Sequence, residues 1–523
     1  MALPDHLSAL LDPRSYPHPC PHIELIETHI SWVILTGDYA YKLKKPVRFN
    51  FVDFSTLALR LHFCREELRC NRAFAPQLYV SLVAIRRGER GLEAVAESTS
   101  ETADQADVVE WAVQMRQFDP ELALDRLLER GELGEDALDD FGRDLADRHA
   151  ALPVLEAGPA DVPKRVFGPV EDNFEEIGNT GLADRHRRDV DATLARSRAV
   201  GDSLRPAFDA RLIGGCVREC HGDLHLSNLA RIDGVVTAFD CLEFNENLRW
   251  IDTMSDVAFL FMDCHFRGRT ALAYRFLDSY LEGSGDYNGA QLLHYFAAYR
   301  SVVRAKVAAL RWVQEADEAT AERFARHLVW ARDRLTRPRG RLVLTCGLSG
   351  SGKSYLATRL LARLPAVRLR SDVARKHLAG IGTLARSDSG IDSGLYDPAQ
   401  SDRTFAHLAA AAEGLLVAGE HVIVDATFIE RSRRAQFLEL AERLGVVAVI
   451  VHCRAPDAVL TARLEDRARA GADPSEATVE VLRMQQERFE PPGDDEPCIR
   501  VDTDRTLTDD FVGELSRRIT GLQ

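Results

Sequence analysis

Hydrophobic and polar positions change period several times along the chain. Between residues 23 and 49 they alternate, which predicts two strands, ELIETHISWVILTG and YAYKLKKPV, joined by a turn at Gly37–Asp38. LALRLHFCREELRCNRAF then follows the helical period. Strand-like runs return in LYVSLVAI, GLEAVAE and VVEWAVQMRQF, the last ending at Asp119–Pro120. Helical periodicity runs from there to Leu152, clearest over Asp136–Ala151, and a Pro- and Gly-rich connection covers Pro153–Pro169. Helices resume, pause at the loop CHGDLHLSNL and the strand VVTAFD, and continue from Arg249 to Leu335.

Thr336–Gly340 is a basic turn with Pro and Gly just before the apolar strand LVLTCG, and it reads as a domain boundary. Beyond it, strands and helices alternate through HVIVDAT and VVAVIVHC, the signature of a parallel sheet with crossover helices. GLSGSGKS, residues 347–354, satisfies G-x-x-x-x-G-K-[ST] between a buried strand and a helix. The backbone of Gly347, Ser349, Gly350, Ser351 and Gly352 would then curl around ATP phosphates, with Lys353 adding charge and Ser354 offering its hydroxyl to Mg²⁺. Asp425 ends the strand HVIVD where a Walker B carboxylate stands, positioned to hold Mg²⁺ through water. Asp372, in LRSDVAR at the end of the second strand, suits a base that accepts a hydroxyl proton; a cap on the helix VARKHLAG is its structural alternative. Arg463 and Arg467, one helical turn apart in TARLEDRARAG, suit a lid closing over the ATP phosphates, or are solvated surface arginines.

The first part of the chain carries a different constellation. In HGDLHLSN, Asn228 follows Asp223 by five residues, the D-x-x-x-x-N offset of a kinase catalytic loop. Asp223 would accept the hydroxyl proton, and Asn228 would reach a metal together with Asp240, which ends the strand VVTAFD. Lys42, in Ala40-Tyr41-Lys42, stands where kinases carry A-x-K to bind the ATP phosphates, with Lys44 on the same strand face as the alternative. Glu67, rather than Glu66, is taken as the ion-pair partner. EWAVQMRQF reads as the hinge strand, with the backbone of Val113 to Met115 facing adenine. No G-x-G-x-x-G precedes the lysine; only Thr36-Gly37-Asp38 is available, so phosphate gripping on this side is expected to be weaker or built differently.

These motifs carry two resemblances. Residues 341–500 resemble the AAA-type P-loop kinases, related to polynucleotide kinase domains and to zeta-toxin-like and gluconate kinases, through GLSGSGKS, SDVAR, GEHVIVDATF, CRAPDAVLTARL and ADPSEA. That resemblance implies transfer of the γ-phosphate of ATP to a hydroxyl, matches Asp372 to the base, and adds Arg370 and Arg375 as substrate contacts. Residues 20–335 resemble the aminoglycoside phosphotransferase and choline/fructosamine kinase superfamily through HGDLHLSN and the strand-end Asp240, and Asp256 matches that superfamily's structural acid. The implied architecture is an α+β, protein-kinase-like bilobal domain over 1–335 (N-lobe about 20–118, C-lobe about 119–335), then an α/β P-loop domain over 340–523. The whole resembles the bacterial bifunctional aminoglycoside phosphotransferase/ATP-binding proteins.

Composition narrows the partners. The 523 residues carry a formal net charge of −15 with pI about 5.6, which disfavours nucleic acid and acidic membranes. The N-terminus lacks a basic segment followed by an apolar one, and the apolar run Val257–Met262 is far short of a membrane span, so a cytoplasmic location is expected. Ten cysteines without a CxxC pair predict reduced, mostly buried thiols. The expected partners are ATP, Mg²⁺ and a small hydroxyl acceptor such as a sugar or amino-sugar. Two alternatives stay open. The first half could bind ATP without turnover and regulate the second, or the second could be a 5′-hydroxyl polynucleotide kinase drawing on Arg368, Arg370, Arg375 and Lys376.

Overall fold

In a computed structural model, the described residues are 3–49, 52–89, 91–96, 107–156, 158, 161–382, 397–470, 475 and 477–522. They form two compact units. One draws on residues 1–133, 151–158 and 212–256, the other on 134–150, 159–211 and 257–523. The helices just before Thr336 therefore share a unit with the sheet that follows it.

The first unit is organised by an antiparallel sheet of β1 (Glu24–Glu27), β2 (Ser31–Leu35), β3 (Tyr39–Lys44), β4 (Tyr79–Gly88), β5 (Gly91–Ala96) and β6 (Val108–Arg116), in the order β1-β2-β3-β6-β4-β5. The run expected as one strand over ELIETHISWVILTG is two. Thr28 folds it back by accepting the Ser31 N–H on its hydroxyl at 2.9 Å, an ST-type turn that competes with extended pairing. Tyr41 and Leu43 of β3 face a cluster with Leu7 and Leu10 of the N-terminal segment, which covers that side of the sheet. Period-two alternation then sends Lys42 and Lys44 to the other side. There α1 (Leu57–Arg72) packs, with Cys64, Leu61 and Leu68 against Trp111 and Val113. Thr56 caps α1 by accepting the Leu59 N–H at 3.2 Å. Short antiparallel pairs Val217–Glu219 with Trp250–Asp252, and Leu229–Ile232 with Val235–Ala238, frame the HGDLHLSN loop.

The second unit holds a five-stranded parallel sheet: β7 (Leu342–Cys346), β8 (Ala366–Arg370), β9 (His421–Asp425), β10 (Ala448–Arg454) and β11 (Cys498–Asp502), ordered β8-β9-β7-β10-β11. Strands covered on both faces read as continuous apolar runs, and all five residues of β7 and of β8 are buried. α3 (Lys353–Leu361) and the helix Asp509–Thr520 cover one face through Leu356, Leu360, Leu515 and Ile519.

The edge strand β8 meets α2 (Thr270–Ser284), which precedes the sheet in the chain. A buried polar cluster fastens this junction. Glu420, at 0 % exposure, accepts from the Tyr274 hydroxyl at 2.9 Å, lies 2.6 Å from His294 Nε2, and has Arg337 at 3.6 Å. Burial works against its charge, but His294 and Arg337 outweigh it and hold Glu420 down at about 2. Seven of the ten cysteines are buried. Among the described residues no helix is long and apolar enough to cross a membrane.

Because the Glu420 carboxyl is depressed, its contribution is present above the ordinary glutamate range and is lost as pH falls toward about 2. Glu420→Gln should therefore cost about 3–5 kcal/mol at pH 7, the range for breaking a buried pair. Thermal melts of both proteins from pH 7 to pH 2.5 should show that difference shrinking. A constant gap would contradict the assignment.

Candidate functional site

In the first unit, Lys42 and Lys44 converge on one carboxylate. Lys42 Nζ lies 2.7 Å from Glu67 Oε1 and 2.6 Å from Asp240 Oδ1. Lys44 Nζ lies 2.8 Å from Glu67 Oε2 and also pairs with Glu243. Glu66 turns away to Arg69 and Arg249, at 2.8 and 2.9 Å. The Lys44 side chain is fully buried, whereas Lys42 keeps some exposure and reaches Asp240, itself 44 % exposed. Burial opposes the Lys42 charge, yet Asp240, Glu67 and Glu243 outweigh it and raise Lys42 well above the usual lysine range. Burial likewise opposes the Glu67 charge, and Lys42 and Lys44 hold that group down at about 2. Glu243 carries no motif; only its place three residues after Asp240 hints at it.

The catalytic-loop candidates are held from beneath. Asp256 accepts the N–H groups of His221 and Gly222 at 3.0 and 2.9 Å. His221 is buried with Nε2 2.9 Å from Phe239 O, and burial lowers its pKa. Gly222 has φ +82°, and a Cβ there would lie 2.8 Å from Leu248 O. Asn228 donates from Nδ2 to Asp223 Oδ2 at 3.0 Å, which turns its Oδ1 the other way. Phe239 donates its N–H to Asn228 O at 3.0 Å, so Asn228 and Asp240 sit on neighbouring strand ends.

One expectation is corrected here. The backbone of Val113 to Met115 is paired on both sides, with β3 and with β4, because β6 is a central strand. Adenine pairing at those residues is therefore closed, and the chain leaves the sheet only at Gln117–Phe118. The turn Thr36–Asp38, which stands in place of a Gly-rich loop, is tied to the end of β6. Gly37 donates to Gln117 Oε1 and Asp38 O accepts the Gln117 N–H, both at 3.0 Å.

In the second unit, the loop 347–354 joins β7 to α3. Gly347 and Gly350 have φ of +139° and +81°, and a Cβ would meet Cys453 O at 2.3 Å or Leu460 O at 2.7 Å. Lys353 Nζ donates to Leu348 O at 2.8 Å and lies 3.4 Å from Ser351 Oγ; burial lowers its pKa against the pull of Asp425. A cavity of about 370 Å³ brings Ser349, Gly350, Gly352, Lys353 and Ser354 together with Asp372, Asp425, Arg370, Arg375, Arg463 and Arg467. Gly347 and Ser351 lie behind it and shape the loop.

α4 (Ser371–Leu378) begins one residue before Asp372 with Arg370 at the N-cap position, so Asp372 is not its N-cap; it lies 3.2 Å from Arg375 NH1. Arg463, on α5 (Asp457–Ala470), clasps Gly350 O at 3.2 Å and Thr503 O at 2.6 Å, while Arg467 donates to Ala477 O at 3.0 Å. Both are thus engaged, not solvated. Residues 471–474 and 476, most of the ADPSEA loop, lie outside the described residues. Arg368 and Lys376 are 4 % and 2 % exposed, so the expected basic cluster is no surface patch. The sequence reading missed Gln485, on α6 (Val479–Arg488), which accepts the Ser349 N–H at 2.8 Å, and Arg433, which stacks on Phe405 at 5.0 Å.

Residues 342–492 match a family model described as an AAA domain. The Mycobacterium tuberculosis protein Rv2004c and the Mycobacterium bovis protein Mb2027c are each 33% identical over 469 residues, spanning 88% of this chain and 89% of theirs. Among solved structures, the Mycobacterium tuberculosis APS kinase CysC in complex with AMPPNP and APS is 24% identical. It covers 35% of this chain and 97% of its own, with a TM-score of 0.25. A Sinorhizobium meliloti gluconokinase gives 21%, 36%, 98% and 0.25, and a Plasmodium vivax ethanolamine kinase 11%, 59%, 81% and 0.37 for the same measures.

Lys353→Ala, made in a Lys42→Ala background so that one nucleotide site is observed, should lower ATP affinity by about 10–100-fold. That is the worth of a charged hydrogen bond of roughly 1.5–3 kcal/mol. Calorimetric titration checks it, and undiminished binding would remove the P-loop from the nucleotide site.

Proposed function

This chain belongs to the family of the Mycobacterium tuberculosis protein Rv2004c, and we propose that it is an ATP-dependent phosphotransferase with two nucleotide sites. One site lies within 1–335 and the other within 340–523, and each passes the γ-phosphate to a hydroxyl of a small molecule such as a sugar or amino-sugar. The observation that carries this reading is the single cavity into which the P-loop lysine, Ser354, Asp425 and Asp372 all open.

In the P-loop half, the loop backbone and Lys353 bind and orient the phosphates. Asp372 takes the acceptor proton, and Arg370 and Arg375 line the acceptor side of the cavity. Arg463 and Arg467 steady the nucleotide side. The donor set fits Mg²⁺: Asp425 is buried, and its Oδ2 accepts no hydrogen bond among the described residues. Ser354 and Asp425 would hold the ion, which supplies charge neutralisation to the phosphates when bound. In the other half, Lys42, oriented by Glu67, binds phosphate, and Asp223 takes the acceptor proton. Asn228 Oδ1 and Asp240 fit a second Mg²⁺ site.

A regulatory first half is the second reading, supported by the clasped Thr36–Asp38 turn. The burial of Arg368 and Lys376 speaks against a polynucleotide acceptor.

Asp223→Asn in a Lys353→Ala background should keep ATP affinity and lose phosphotransfer or slow ATP hydrolysis by about 10²–10⁴-fold, the range of general-base catalysis. Unchanged turnover of labelled ATP would favour the regulatory reading.

Asp372→Ala, in an Asp223→Asn background, should leave MgATP affinity within about threefold and cut transfer by about 10²–10⁴-fold. A panel of sugars, amino-sugars, nucleosides and 5′-hydroxyl oligonucleotides, assayed with labelled ATP, supplies the acceptor. Loss of thermal stability with turnover intact would withdraw Asp372 as the base.

A further inference from the structure

Strand β8 carries two arginines, Arg368 and Arg370, that are almost fully buried beside Asp425. Each guanidinium approaches Asp425 Oδ2 to 3.8 Å and stops there: Arg368 through NH1, Arg370 through Nε. No hydrogen bond forms, and that oxygen accepts none from any described residue. Closing the remaining ångström would give a direct guanidinium–carboxylate pair, the strongest common pairing of those groups. Something holds both arginines back.

That restraint is α2. Asp278 grips Arg368 through two contacts, 3.1 Å from Nε and 2.6 Å from NH2. Glu282, one helical turn on, bridges the arginines, 2.6 Å from Arg368 NH2 and 2.8 Å from Arg370 NH1. Thr358 Oγ1 accepts from Arg368 NH1 at 2.8 Å and draws it further from Asp425. Both acids are themselves nearly buried, at 7 % and 13 % side-chain exposure, so water does not loosen the grip.

We infer that Asp278 and Glu282 are positioning residues of the P-loop site: by holding Arg368 and Arg370 off Asp425, they keep its Oδ2 available to a hydrated divalent cation. This rests on the reading of Asp425 as the metal-side carboxylate. It goes beyond that reading by making a helix outside residues 340–523 part of the site. Without Asp278, Arg368 keeps Glu282 alone against the pull of Asp425, and without Glu282, Arg370 loses the carboxylate that holds it off Asp425. The Mg²⁺ requirement then changes, whereas a merely structural pair would change stability alone.

The test uses the full chain in a Lys42→Ala background, with a fluorescent ATP analogue titrated across a Mg²⁺ series and in EDTA. Asp278→Asn and Glu282→Gln should each raise the half-saturating Mg²⁺ concentration by about tenfold, the low end of what a lost outer partner costs a metal site. Affinity in EDTA should stay within about twofold of the parent. Asp278→Asn combined with Arg368→Met removes the released guanidinium and should bring the Mg²⁺ midpoint back. An unmoved midpoint in either folded single variant, or a double variant that is not rescued, overturns the inference. Glu282→Gln carries the test if Asp278→Asn does not fold. A parent that binds the analogue equally with and without Mg²⁺ would instead overturn the reading of Asp425.

Discussion

Charge removed from water has to be met by charge, and each unit of this protein is built around one such meeting. In the first, two lysines on alternate positions of β3 share Glu67, and their outer partners are Asp240 and Glu243. In the second, two arginines on alternate positions of β8 share Glu282, Asp278 grips Arg368, and Asp425 stands 3.8 Å from both. A buried ion costs several kcal/mol unless its partners are well placed, so neither cluster tolerates a slip of register. One residue of slip in β3 would send Tyr41 and Leu43 toward α1 and both lysines into the apolar cluster beneath Leu7 and Leu10.

The parallel between the clusters extends to what they leave exposed. Lys44 and Arg368 are deeply buried and serve as anchors, while Lys42 reaches the partly exposed Asp240 and Arg370 lines the cavity of the second unit. An anchored cation fixes the shared carboxylate, and the fixed carboxylate orients the second cation at little further entropy cost. Orientation of this kind is what phosphate chemistry asks of its cations, because the reaction is accelerated mainly by position and field.

Much of this was legible in the sequence, and the reasons differ by residue. The P-loop could be read because its glycines answer a local demand: positive φ at Gly350 and close approach of Leu460 O leave no room for another side chain. The nearness of Asn228 to Asp223 could be read because the spacing folds both back to one place, whereas the hydrogen bond between them could not. Glu67 over Glu66 was a matter of helix phase, which periodicity gives within one residue. The turn at Thr28 was hidden, since one hydroxyl accepting one N–H breaks a run that alternation alone presents as continuous. The hinge was misread because a strand's position in a sheet is not local: β6 is central, and its backbone is spent on both neighbours. Glu243, Gln485, Asp278 and Glu282 carry no motif, because each acts through contacts that only the tertiary fold brings about.

The P-loop shows how such a site can be rigid before any phosphate arrives. Its polar groups already have partners of the kind a phosphate would provide. Ser349 N–H donates to Gln485 Oε1, Lys353 to Leu348 O, and Arg463 to Gly350 O. A nucleotide therefore exchanges hydrogen bonds and does not create them from solvated groups, so the loop keeps its shape whichever partner it has. Gln485 belongs to α6 and Arg463 to α5, so the loop is tied to both helices. The two helices pack against each other through Leu460, Leu464 and Leu482. The same helix pair carries Arg467 and Arg488 into the cavity beside the loop.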